Sequence, residues 1–131
     1  MAKNRSWLVF AKKESCRHAM ALNQMGYLCW NPHHCKFEVG DTVYMFMSTD
    51  RNIRFKTTVT AVNVPRTDQK YWLIPTRDVL VSRLDFVEYY DGNKLDEFSL
   101  MEHGFKGTKS LQQAKHLEGE LLDYIEAQFT K

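Results

Sequence analysis

The sequence predicts an α+β domain on a curling, mostly antiparallel sheet. Three observations carry that expectation. The chain has 131 residues, enough for one domain with its own core, and residues 1–131 read as a single unit. Its first two thirds hold short apolar or alternating runs bounded by turn residues, which is how strands read. Its last third changes to helical spacing, so the order is strand, helix, strands, helices.

The elements follow in chain order. "SWLVFA" (6–11) is a short apolar run rich in strand formers and reads as a buried first strand. "ESCRHAMALNQMG" (14–26) reads as a short helix, with Ser15 as the cap, Ala19, Leu22 and Met25 on one face, and Gly26 at the left-handed stop. "YLCWNPHHCKF" (27–37) has no sustained period, and Asn31-Pro32 breaks regular structure, so a loop is expected there. Gly40-Asp41 is a turn signal that leads into a strand. Val43, Met45 and Met47 alternate there with Tyr44, Phe46 and Ser48, and both sets are largely apolar, so both faces should be covered.

"IRFKTTVTAVNV" (53–64) places Ile53, Phe55, Thr57, Val59 and Ala61 on a buried face and Arg54 and Lys56 on a wet, basic one. A polar connection with Tyr71-Trp72 at its centre precedes another long strand, "VLVSRLDFVEYYDGN" (79–93). "KLDEFSLMEHGF" (94–105) has helical spacing. "SLQQAKHLEGELLDYIEAQF" (110–129) reads as the strongest helix, with Leu111, Ala114, Leu117, Leu121, Leu122, Ile125 and Phe129 in one stripe.

Composition narrows the function classes. At 44% hydrophobic and 26% charged, the chain reads as an ordinary globular protein, neither disordered nor fibrous. No apolar run approaches the ~20 residues that span a bilayer. The stretch from Trp7 to Ala11 is too short for a signal peptide, which points to the cytoplasm. Cys16, Cys29 and Cys35 are odd in number and are expected as free thiols. A net charge of +2 does not by itself announce a nucleic-acid binder.

Cys29, His33, His34 and Cys35 have zinc-ligand chemistry, but no second short-spaced pair completes a tetrahedral set, so no metal and no cofactor are expected. Cys16, two residues before His18, reads as a packing thiol rather than a nucleophile. No spacing converges two carboxylates on a cleft, and no catalytic residue is assigned. "GFKG" (104–107) has the form of a small phosphate-cradling loop ahead of a helix. Aromatic residues are interleaved with Arg51, Arg54, Lys56 and Arg66, a pattern that suits base stacking with phosphate contact and equally suits a core beside a solvated face.

"SWLVFA", the tryptophan of "LCWNP", "VGDTVYMFMSTDRNIRFKTTVTAVNV" and the ending "FSLMEHGFKGTKSLQQAKHLEGELLDYI" together resemble the EVE domain of the PUA-like superfamily. More narrowly, they are similar to EVE-like domains found alone or attached to HNH-type endonucleases in bacteria. The likeness runs over nearly the whole chain. It implies a curled sheet or partial barrel flanked by helices. It also implies a concave aromatic pocket of the kind that receives a nucleobase, often a modified one, in EVE and the related YTH and ASCH groups. Carried over by position, the pocket residues are Trp7, Trp30, Asn31, Tyr44, Phe46 and Ser48. Lys106 and Lys109 are placed at phosphate, joined by Arg54 and Lys56 from the basic strand face.

The expected function is a non-catalytic module that binds DNA or RNA through a base pocket, with a partner nuclease supplying any cleavage. A nucleotide- or small-ligand-processing enzyme using the same pocket is the second reading. A protein-interaction module is the third.

Overall fold

The computed structural model describes residues 4–31, 36–76 and 79–131. Its elements are β1 (Ser6–Ala11), α1 (His18–Met25), β2 (Tyr27–Trp30), β3 (Thr42–Met47), β4 (Asn52–Val64), β5 (Val81–Tyr89), α2 (Glu97–Met101), β6 (Lys115–Leu117) and α3 (Gly119–Glu126). Short 3₁₀ turns cover Gln69–Tyr71 and Thr108–Leu111. The six strands form one sheet in the order β2-β5-β4-β3-β1-β6. Every neighbouring pair is antiparallel except β1 and β3, which are parallel because α1 and β2 intervene as a crossover. The sheet curls into a half-barrel, in keeping with the expected α+β class.

Both faces of the sheet are apolar, and each has its own core. Trp7, Val9 and Ala11 of β1 join Val43, Met45 and Met47 of β3, with Ala21 and Leu22 of α1 laid over them. Leu8 of β1 joins Tyr44 and Phe46 of β3 on the other side, covered by Leu100, Leu121, Ile125 and Phe129 from α2, α3 and the chain end. The strict alternation along β1 and β3 follows from the period of two.

β4 breaks that rule once where it pairs with β3, for a visible reason. Phe46 pairs with Ile53 and Met45 with Phe55, so an extra residue, Arg54, bulges out of β4. Ile53 therefore joins the second core and Phe55 the first, although they are only two residues apart. The expectation of one shared face for these residues is corrected by the bulge.

Three further expectations change. The segment after α1 is a strand, not a loop. Tyr27 to Trp30 pair antiparallel with Asp85 to Ser82, and four residues are too few to show a period. α1 starts at His18 rather than near Ser15, with Arg17 as its N-cap and no side-chain cap. Residues 15–17 instead run beside the 3₁₀ turn: Arg17 N donates to Tyr71 O at 2.8 Å and Leu73 N to Ser15 O at 2.9 Å. Gly26 does close the helix, at φ 80°.

The expected long C-terminal helix is three elements. Leu111 ends a 3₁₀ turn, Leu117 sits in β6 against β1, and α3 begins only at Gly119, whose φ of 66° interrupts a continuous helix. Most of the apolar stripe holds in burial, since Leu111, Leu117, Leu121, Ile125 and Phe129 reach the second core, but Ala114 packs on the first core instead, where the chain turns into β6.

Asp41, fully buried, ties β1 to the start of β3. Its carboxylate accepts from Arg5 N at 2.9 Å, the Trp7 indole N–H at 2.9 Å and Glu38 N at 3.0 Å. An Asp41→Ala substitution strands three donors, and we expect a loss of roughly 3–5 kcal/mol in unfolding free energy, read from the urea midpoint. A loss under about 1 kcal/mol would mean that water replaces the carboxylate.

Candidate functional site

The curl of the sheet brings its two ends toward each other without closing it. β6 pairs only with Ser6, Trp7 and Leu8, so the far half of β1 has no strand on that side. Trp30, from the opposite sheet edge, lines the same hollow of about 330 Å³ as Val9 and Phe10 of β1. Thr108, Lys109, Gln112 and Gln113 form its other wall. A second hollow of about 220 Å³ shares Phe10, Lys12 and Trp30 with the first and continues past His18, Trp72 and Asn31. Together they make one groove along the open seam. Among the described residues, Lys12 and Lys109 are its only charged lining groups, and no carboxylate faces it.

The groove's flat rings are held from behind. The contact between residues 15–17 and 71–73 sets Trp72 beside His18, with ring centroids 5.9 Å apart, and His18 is also 5.9 Å from Trp30. Asp68, fully buried, accepts from the Trp72 indole N–H at 2.8 Å and from Cys29 N of β2 at 2.8 Å. Its other oxygen takes Arg66 Nη1 at 3.0 Å. Arg66 lies over the Trp72 ring at 4.6 Å and donates to the Asn31 carbonyl oxygen. One buried ion pair thus fixes β2, Trp72 and Asn31 relative to one another.

Burial sets the titration of the site. His18 is pulled down to about 4, chiefly by desolvation, with the Cys16 carbonyl and Asp68 opposing. The ring is therefore neutral at physiological pH. The Cys16 thiol is pushed up to about 12 by burial and then by Asp68, and burial also raises Cys29. Both are inert packing thiols, as the sequence suggests. No three His, Cys, Asp or Glu side chains converge as a metal site among the described residues, and His33, His34 and Cys35 lie outside them.

The residues assigned to a base pocket do not form one locus. Trp30 and Asn31 line the groove. Trp7 is only 6% exposed, with its N–H taken by Asp41. Tyr44 and Phe46 are buried on the other face of the sheet, against Phe129 and Phe105. These three belong to the cores, which corrects their assignment. Ser48 lies just past β3, where its hydroxyl accepts from Lys13 N at 2.9 Å.

The phosphate set also divides. Lys109 lines the groove. Arg54 is engaged by Asp50 and by the carbonyls of Tyr90 and Gly92, and Lys56 by the Lys131 carbonyl. Lys106 is exposed in the glycine loop, but that loop is no anion cradle: Thr108 N already donates to Glu97 Oε2 at 2.9 Å, and only a 3₁₀ turn follows. Phe10, Lys12 and His18 carry no base-pocket assignment in the sequence, and Trp72 stands there only among the aromatics with stacking chemistry. The Tyr71-Trp72 pair inside a polar connection is the one sequence signal that pointed near them.

No protein-family model and no curated protein matches the chain. Solved structures do. A hypothetical protein from Leishmania major is similar at a TM-score of 0.64 and 14% identity, over 95% of this chain and 94% of that one. A protein from Agrobacterium tumefaciens is similar at 0.63 and 11%, over 94% and 92%. A protein from Pseudomonas syringae is similar at 0.63 and 14%, over 93% and 97%. At these identities the likeness is one of fold: the small curled-sheet domain recurs over nearly the full length of each chain. No helix among the described residues is long and apolar enough to cross a membrane.

The depressed His18 makes stability depend on pH. Between about 4 and 6.5 the unfolded chain binds a proton that the folded one refuses. Stability from this group is complete above 6.5 and falls as pH drops to about 4, by on the order of 3 kcal/mol. His18→Gln should flatten that part of a denaturant-melt series relative to the parent. Parallel curves for the two proteins would show that His18 is not held neutral.

Proposed function

We propose that this domain binds nucleic acid by accepting a single unstacked base in the seam groove. The observation that carries this reading is the composition of the groove. Trp30, Trp72 and Phe10 supply flat rings with the buried, neutral His18 packed behind them, while among the described residues two lysines and no carboxylate stand at the rim. Flat rings take any base face, and lysines meet the phosphates on either side. The resemblance to EVE-like domains adds a modified base as the favoured occupant, with any strand cleavage left to a partner nuclease. An enzymatic reading would need acid–base partners converging on the groove. The neutral His18 has no carboxylate beside it among the lining residues.

The test is tryptophan fluorescence titration with short single- and double-stranded DNA, with and without 5-methylcytosine, at two salt concentrations. Quenching should be saturable and salt-sensitive. Trp30→Ala should weaken binding by tenfold or more, since a base–aromatic stack contributes about 1–3 kcal/mol. Lys12→Ala and Lys109→Ala should each lower the slope of log affinity against log salt by about one. Fluorescence that stays flat with every oligonucleotide at low salt would defeat the reading.

A further inference from the structure

We infer that Asn31 selects the base, and that it selects a keto edge (guanine O6, or thymine or uracil O4) over an amino edge. This rests on the reading of the groove as a base site. It goes beyond that reading by naming which bases enter.

The geometry turns on Arg66. Its side chain is 3% exposed and is fixed by Asp68 Oδ1 at 3.0 Å, by the Cys29 carbonyl at 3.4 Å and by the Trp72 ring beneath it. Its Nη2 meets the Asn31 side chain. A guanidinium only donates, so the amide atom facing it is the carbonyl oxygen, and the amide orientation is thereby determined. Asn31 itself is exposed and lines the hollow with Trp30, Trp72 and His18.

Asn31 therefore offers its NH₂ to a ligand as a donor. The usual two-point grip of an asparagine on adenine also needs its carbonyl, which is engaged here by Arg66. Lys12, the charged group that lines this hollow among the described residues, likewise only donates. A base that turns an amino group toward Asn31 places N–H against N–H there and leaves that donor unpaired. A keto oxygen satisfies it. Arg66 is a positioning residue in this scheme: it touches Asn31 and sets what Asn31 presents.

The experiment titrates the folded protein with single-stranded DNA in which one guanine, thymine, adenine or cytosine is flanked by abasic sites. Guanine and thymine should bind about tenfold more tightly than adenine and cytosine. Asn31→Ala should bring the four affinities together. Asn31→Asp keeps an oxygen for Arg66 and turns a second, accepting oxygen to the groove, so the preference should move toward adenine and cytosine. Circular dichroism melts check that both variants remain folded, as expected for an exposed position. Quenching with equal affinity for the four bases, or an amino preference in the parent, overturns the keto inference and leaves the groove reading intact. A keto preference that survives in Asn31→Asp overturns it as well. Absence of quenching with every probe removes the groove reading and this inference together.

Discussion

The carboxylate of Asp68 is the constraint on which the site depends. It is fully buried, yet it accepts from a strand amide, an indole and a guanidinium. A buried carboxylate is tolerable only when its oxygens are filled, and breaking such a pair from one side costs about 3–5 kcal/mol because the partner charge is left behind. Arg66 is the group that would be left. Its own Nε is buried without a hydrogen bond among the described residues, so it depends the more on its two other nitrogens. Through this pair the short edge strand β2, the ring of Trp72 and the amide of Asn31 are held together.

Asp41 does the same work at the other end of the sheet. It is buried, it holds an indole N–H, and it gathers backbone amides from both sides of a strand entry. The two aspartates share a chemical strategy, yet the tryptophans they hold differ in consequence. Trp7 lies within the first core, closed over by Phe37 and His116. Trp72 stays half-buried, with Arg66 over one face of its ring, and lines the groove. An indole whose N–H is already satisfied is free to act as a flat apolar surface, and of the two only Trp72 lines the open seam.

Much of the fold is legible in local sequence, because period-two alternation reports burial directly. β1 spans the run "SWLVFA" from end to end, and β3 follows Gly40-Asp41 with both faces covered, as its two apolar sets require. The failures have physical causes. Tyr27–Trp30 is too short for a period, and pairing with β5 alone makes it a strand. Leu111 to Phe129 keep a helical spacing of apolar residues while the backbone passes through a turn, a strand and a helix, because hydrophobicity reports depth and not conformation. The site is less legible still. Trp30 and Asn31 stand out in sequence, but Phe10, Lys12, His18 and Trp72 meet them only through the curl of the sheet and the pairing of residues 15–17 with 71–73. Tyr44 and Phe46 show the converse: an aromatic in a strand with two covered faces is interior, whatever its stacking chemistry.

The incomplete closure of the sheet has a mechanical meaning. Trp30 belongs to one terminal strand and Val9 and Phe10 to the strand near the other, and no ladder of backbone hydrogen bonds joins them. A molecule seated in the groove touches both ends at once and takes the place of the missing ladder. On the proposed reading it would act as a keystone, its binding energy adding to the resistance of the arch to parting. A barrel with a gap in this position need not trade strength for access if a guest supplies the strength that the gap gives up.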